Sequence, residues 1–346
     1  MFEIDPISLS YDLPKSRIAQ YPLCHRSASR LLVVDSKKGV FKQLKFYEIL
    51  DFIQKEDLVI FNTSKVVQAR FDIFYANKKK SLLFVEWLED GKIKCIGPNL
   101  RDISSYSTLK GENAKFTIIS VSHHLILQTS FNTIGDWFQW LGQYGKMPLP
   151  AYIKRDVKQI DTSRYQSVFA NFEGSVASPT AGLHFDQKLI SEILKKGAHI
   201  TSIQLHCGIG TFSPIRNSLN EHSMSSETYT IQKEAIDKIT DTKYRGKKII
   251  AVGTTVVRAI ESFFLFTNNS PVPGTYTTTL FIKPGYSFKV ANTLVTNFHA
   301  PCTTPLSLAI AFTNRAVISE AYSFAIDRKF RFLSYGDSML LGNFYL

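Results

Sequence analysis

Cysteine is scarce in this 346-residue sequence: Cys24, Cys95, Cys207 and Cys302 stand apart, with no C-x-x-C pair. That spacing excludes a disulfide-stapled secreted scaffold and points to reduced thiols in a cytosol. Long apolar runs are missing too, since none approaches the ~18 uninterrupted residues of a membrane span. The opening Met-Phe-Glu-Ile-Asp-Pro is acidic where a signal peptide would be basic. The expectation is a soluble, cytoplasmic protein with no membrane partner. Acidic residues are outnumbered, 29 against 41 Lys and Arg, leaving a net charge of +12. Such an excess suits an anionic partner, either a nucleic acid or a phosphate-bearing ligand. What is present is ordinary for a folded chain: 44% hydrophobic and 20% charged residues exclude wholesale disorder. At roughly 150 residues per domain, the length suggests two domains or one large one.

The pattern along the chain favours two. Leu31-Leu32-Val33-Val34 and Leu58-Val59-Ile60-Phe61 are apolar on both faces, as expected of strands covered by helices. Residues 46–54 between them have helical spacing. From 66 to 149 the chain changes to brief alternating runs, with Asp90-Gly91 as a hairpin turn and residues 111–113 as another. Several short strands at close intervals argue for a small all-β barrel or sandwich. From 150 onward strands and helices alternate again, including a helix over 186–196, a strand over 200–206, and a strand at 248–252 feeding a helix. We therefore expect a discontinuous α/β domain, 1–65 with 150–346, its sheet largely parallel, and an inserted β-barrel domain at 66–149. Charge does not distinguish them: the insert carries a net +3 and the remainder +9, at nearly equal density. Three local basic clusters stand out, at 154–164, 243–248 and 328–331.

Chemistry-bearing stretches fall in the second half. Residues 174–185 crowd small side chains ahead of a helix, including Thr180 and Gly182, and end on His184. Such a loop lets backbone N–H groups approach a ligand. His206 ends a strand and precedes Gly208 and Thr211, at the strand end where ligands of open α/β sheets collect. It is a candidate for hydrogen bonding or proton transfer. The Gly208-x-Gly210 pair is followed by Ser213, so a dinucleotide fingerprint is rejected. Thr254 and Thr255 open a helix whose free N–H groups favour an anion, with Arg258 beside them. This turn is not a phosphate-binding P-loop. Glu227 is a possible general base, and Asn297, His299, Tyr335 and Asp337 complete the set. His299-x-x-Cys302, even with His206 and Cys207, lacks an established metal-ligand spacing, so no metal is expected.

Taken in order, these motifs resemble the S-adenosylmethionine:tRNA ribosyltransferase-isomerase family of queuosine biosynthesis. The resemblance runs nearly end to end, through Tyr11-Asp12-Leu13-Pro14, Ala28-Ser29-Arg30-Leu31-Leu32, Gly145-Lys146-Met147-Pro148-Leu149-Pro150-Ala151-Tyr152-Ile153, residues 174–185, Gly253-Thr254-Thr255-Val256-Val257-Arg258, Thr296-Asn297-Phe298-His299 and Ser334-Tyr335-Gly336-Asp337. It implies an α/β domain with an open-barrel-like mixed sheet, interrupted by a small antiparallel β-barrel. It also implies an enzyme that consumes S-adenosylmethionine as a ribosyl donor, with no further cofactor. The acceptor would be a 7-aminomethyl-7-deazaguanine at the wobble position of tRNA, and the products epoxyqueuosine in tRNA, adenine and methionine.

That chemistry needs a base for the proton beside the sulfonium and an acid for departing adenine, for which His184, His206, Glu227 and His299 are the candidates. Arg30, Thr180, Gly182, Gly208, Thr211, Thr254, Thr255, Arg258, Asn297, Tyr335 and Asp337 would bind the substrates. The chain departs from the family pattern at Thr63, at Ser225, which stands where a second histidine is usual, and across 300–307. These departures leave a tRNA-binding member with reduced activity or altered specificity as the alternative. A non-catalytic RNA adaptor would tolerate loss of the site loops, which are retained. An ordinary methyltransferase would need a glycine-rich loop after an early strand, which is absent.

Overall fold

The computed structural model describes residues 9–75, 78–97, 107–208, 215, 218–267 and 271–344. The chain first lays down β1 (Arg30–Asp35) and its antiparallel neighbour β2 (Phe41–Lys45), then β3 (Leu58–Asn62) and the short β4 (Ser64–Val66). The stretch expected to be helical winds as a 3₁₀ segment, Phe46–Phe52. Phe46 and Ile49, three residues apart, share its buried side, as that tighter winding requires.

Six strands then close into a barrel: β5 (Arg70–Tyr75), β6 (Lys78–Trp87), β7 (Lys92–Ile96), β8 (Thr108–Gly111), β9 (Ala114–Val121) and β10 (Leu125–Gln128). Asp90 and Gly91 form the turn into β7 with φ of 57° and 70°, where glycine is unstrained and aspartate tolerated. Alternate residues such as Phe71, Ile73, Leu82, Phe84, Ile93 and Cys95 fill the interior. Helix α1 (Ile134–Tyr144) adds Trp137, Trp140 and Leu141 to the same core. The entering and leaving chain are pinned side by side, Lys146 N–H donating to the Arg70 carbonyl at 2.7 Å and Arg70 N–H to that of Lys146 at 3.2 Å.

Beyond the barrel come α2 (Gln159–Arg164), β11 (Phe172–Ser175), α3 (Gln187–Lys195), β12 (His199–Leu205), β13 (Glu227–Ile231), α4 (Lys233–Tyr244), β14 (Ile249–Val252) and α5 (Thr254–Phe266). They are followed by β15 (Gly274–Thr278), β16 (Thr293–Asn297), α6 (Thr304–Ala311), α7 (Arg315–Asp327) and β17 (Ser338–Gly342). Nine strands make one sheet in the order β15-β13-β12-β3-β14-β16-β17-β1-β2, while β4 and β11 pair separately. Alternating residues of the central strands feed two cores. Leu32, Ile60, Ala251, Leu294 and Leu341 meet the inner faces of α4, α5, α6 and α7. Leu31, Val59, Ile250, Val295 and Leu340 meet Phe46, Phe185, Leu189 and Ile193. Burial on both faces is why these strands read as unbroken apolar runs.

The fold is thus mixed α/β with an antiparallel β-barrel, as expected, but the large sheet is not largely parallel. Four of its eight pairings are parallel and four antiparallel. Two consecutive helices, α6 and α7, reverse the chain after β16, so β17 runs back beside it.

Candidate active site

Strands β3, β12, β14 and β16 run parallel in the sheet centre, and their carboxyl ends share one edge. Asn62, at the end of β3, ties this edge together. Its Nδ2 donates to the Leu205 carbonyl at 2.9 Å, and its Oδ1 accepts from the N–H groups of Leu205 and Ser64 at 3.1 and 3.0 Å. Against this edge lies a cavity of about 370 Å³. Arg70 and Leu83 of the barrel wall one side, Pro150 and Tyr152 another, and Thr180, Asn297 and His299 the sheet side. Its size and mostly apolar wall with a few polar groups suit a small ligand.

Of the residues singled out in the sequence, Thr180, Asn297 and His299 line this cavity directly. Asn297 is buried, its Nδ2 donating to the Leu333 carbonyl at 3.1 Å and lying 3.3 Å from His184 Nε2, while its Oδ1 has no partner. His184 closes the 3₁₀ turn Thr180–His184 and is buried beneath Asn297, with Ser29 Oγ 2.8 Å from its Nδ1. With Asn297 donating to Nε2, the proton sits on Nδ1. Burial, aided by nearby Arg331, drives its pKa down to about 3. It is a neutral group that orients the amide in the cavity wall. His299 is likewise held near 3 by desolvation, its Nε2 2.7 Å from Thr296 Oγ1.

A second cluster adjoins the first. Val176 and Ala177 line the cavity, and their N–H groups donate to the Cys207 carbonyl, so the segment after β12 backs that wall. His206 lies there, half-buried, with Gln204 Nε2 2.7 Å from its Nε2 and no partner on Nδ1. Both side chains leave the same face of β12, as the alternation indicates, and burial lowers the His206 pKa. Gly174, at φ 137°, admits the ring: a Cβ there would stand 2.8 Å from His206 Cε1. Glu227, at the start of β13, forms a buried ion pair with Arg258 of α5, whose Nε also donates to the Leu280 carbonyl at 3.0 Å. Arg258 keeps one buried nitrogen, Nη2, without a hydrogen-bond partner. Thr254, Thr255 and Arg258 line a crevice of only about 10 Å³, which shares Pro305 with the main cavity.

The remaining residues stand apart from the cavity wall. Arg30 and Asp337 engage each other, Arg30 N–H and Nε donating to the carboxylate at 2.9 and 3.1 Å, and Arg331 N–H joins them at 2.8 Å. Tyr335 donates to Asp161 at 2.8 Å, and Asp161 also takes Arg155 in a two-pronged ion pair. Gly182 packs closely on Ser167, and Gly208 faces open space. Thr211 lies outside the described residues. The sequence reading left out Arg70, Tyr152, Thr303 and Ser334, which line the cavity. Tyr152 OH is 2.6 Å from Ser334 Oγ, and burial pushes its pKa up to about 12. Tyr152 and Ser334 belong to motifs of the family pattern, whereas Arg70 carried no signal beyond its place at the barrel entrance.

The family model described as queuosine biosynthesis protein matches residues 7–341. The chain belongs to this family. An S-adenosylmethionine:tRNA ribosyltransferase-isomerase of Azoarcus sp. (strain BH72) is 40% identical over 344 residues, covering 96% of this chain and 95% of that one. Its counterpart in Thermotoga petrophila is 38% identical over 337 residues, covering 96% and 98%. Among solved structures, the crystal structure of S-adenosylmethionine tRNA ribosyltransferase from Thermotoga maritima aligns with a TM-score of 0.55 at 30% identity, over 96% of this chain and 99% of that one. The family resemblance read from the motifs is thereby established. Of the departures from its pattern, Thr63 is engaged in the fold, its N–H and Oγ1 both donating to the Ile203 carbonyl at 2.9 and 3.1 Å. Ser225 is exposed, two residues before Glu227. Among the described residues no group of three His, Cys, Asp or Glu side chains could hold a metal ion, and no helix is long and apolar enough to cross a membrane.

Proposed function

We propose that the chain transfers and isomerises the ribosyl group of S-adenosylmethionine onto a 7-aminomethyl-7-deazaguanine at the wobble position of tRNA. Epoxyqueuosine in tRNA, adenine and methionine are released. The observation that carries this reading is the cavity at the strand ends, flanked by the His206, Glu227 and Arg258 cluster, in a chain whose relatives bear the name of that activity. No further cofactor takes part, and the enzyme works in the cytoplasm. Residues 66–149 act as an inserted domain that covers the site carried by 1–65 and 150–346.

The reaction begins with loss of the proton beside the sulfonium, which lets adenine leave. His206 and Glu227 take on proton transfer, His206 through its unpartnered Nδ1. Asn297 Oδ1 accepts from an exocyclic amino group, held to that task by His184 and the Leu333 carbonyl. The substrate amine then attacks the opened ribosyl fragment, and closure of the epoxide expels methionine. Thr254, Thr255 and Arg258 bind the anionic end of a substrate, with Thr180, His299 and Gly208 around the remainder. Arg30, Gly182, Tyr335 and Asp337 support the same edge from behind.

Adenine release by His206→Asn and Glu227→Gln tests these assignments. Each is expected to slow a single turnover by roughly 100-fold or more, the usual scale of general acid–base contributions. Wild-type rates in both variants would remove the cluster from the mechanism.

A further inference from the structure

The cavity opens toward a second, larger cleft of about 670 Å³ between the barrel and the segment that carries α2. Arg70, Leu149, Pro150 and Ala151 line both spaces, so Arg70 stands at the throat between them. Its backbone is fixed by the paired hydrogen bonds to Lys146, and its half-buried guanidinium meets no carboxylate among the described residues. The outer walls hold Lys79, Lys146 and Lys158. Asp72 is shared by two of them, Lys79 at 2.8 Å and Lys146 at 3.0 Å, which leaves a positive excess; Asp156 is the other carboxylate of the wall.

Two of the three basic clusters in the sequence converge on this side. Arg155 lies 4.4 Å above the ring of Tyr21, which is 47% exposed, and Lys158 Nζ is 5.0 Å from the same ring. Arg331 donates to the Tyr21 carbonyl. The third cluster is spent elsewhere. Arg245 pairs with Glu56 and Asp241, Lys247 pairs with Glu56, and Lys248 sits next to the start of β14, at the amino ends of the parallel strands. That is the edge opposite the cavity.

We infer that this cleft is the track of a single RNA strand, with Arg70 gripping the phosphate beside the nucleotide that enters the cavity. Lys146 and Lys158 hold phosphates farther out, and Tyr21 offers a ring on which an unpaired base stacks. The inference rests on the proposed function for its choice of RNA, and it adds the face and the residues. A cavity fed through a basic throat fits a base carried on a charged backbone. A free small anion would need neither the length of the cleft nor the exposed ring.

The test is equilibrium binding of the full chain to a fluorescein-labelled anticodon stem-loop RNA, by anisotropy from about 50 to 200 mM salt. Arg70→Ala and Lys158→Ala are each expected to weaken binding roughly threefold to tenfold and to reduce the salt slope by about 0.7 to 0.9. Arg70→Lys should restore part of the affinity, and Lys243→Ala, on the opposite edge, should bind as wild type. Calorimetric titration with S-adenosylmethionine should be unchanged in Lys158→Ala and Lys243→Ala, neither of which lines the inner cavity. Wild-type RNA affinity and slope in Arg70→Ala would overturn the inference. So would loss of S-adenosylmethionine binding in that variant with RNA binding intact, which would assign the guanidinium to the methionyl carboxylate. A wild-type chain that binds the RNA through these residues but releases no adenine would instead sink the proposed activity and leave the track standing.

Discussion

At the scale of single residues, His184 carries the sharpest consequence. Its folded pKa of about 3 lies well below the roughly 6.5 of an unfolded histidine. As pH falls, the unfolded chain takes up the proton first. The stability this buried imidazole contributes is therefore full above about pH 6.5 and is lost progressively toward pH 3. Between pH 7 and 5 that loss is about 2 kcal/mol. Urea midpoints measured at both pH values should fall less steeply for His184→Gln than for wild type; equal slopes would mean the ring is not held neutral. Gly174 gives a second prediction. At φ 137° and with a Cβ only 2.8 Å from the His206 ring, Gly174→Ala should displace that ring and depress both adenine release and melting temperature. Unchanged turnover in this variant would show that the position of His206 does not matter. The residue scale is also where the sequence was least informative. His206 was legible from its place at a strand end, but Arg70 reaches the cavity only through packing of the barrel against the sheet.

At the scale of elements, helix α1 shows how much the barrel depends on a segment outside its strands. Trp137 is fully buried and meets the rings of Phe71, Phe84, Phe116 and Phe131. Replacing it with alanine should cost about 3–5 kcal/mol in urea unfolding. A loss below about 1 kcal/mol would mean that the strands alone hold the barrel. Elements with strong local signals were readable: the Asp90-Gly91 turn, the doubly buried β1 and β3, and α3 with its one apolar face. Strand direction was not. An apolar run such as Ser338–Gly342 looks the same in either direction, and only the helix pair ahead of it decides that β17 runs antiparallel to β16.

At the scale of the whole molecule, the scarcity of acidic residues takes on a geometry. The net +12 is not a uniform coat. One basic cluster is tied to Glu56 and Asp241 at the amino edge of the sheet, while the other two lie near the cleft leading to the cavity. A large sheet supplies the strand-end site, and the barrel stands over it. On the proposed reading this site cleaves S-adenosylmethionine as a ribosyl donor. Product analysis after incubation of the full chain with S-adenosylmethionine and tRNA bearing the aminomethyl-deazaguanine tests it most directly. Adenine and methionine released in equal amounts, with the ribosyl fragment retained on the tRNA, is the predicted result; S-adenosylhomocysteine, or no adenine at all, would contradict it.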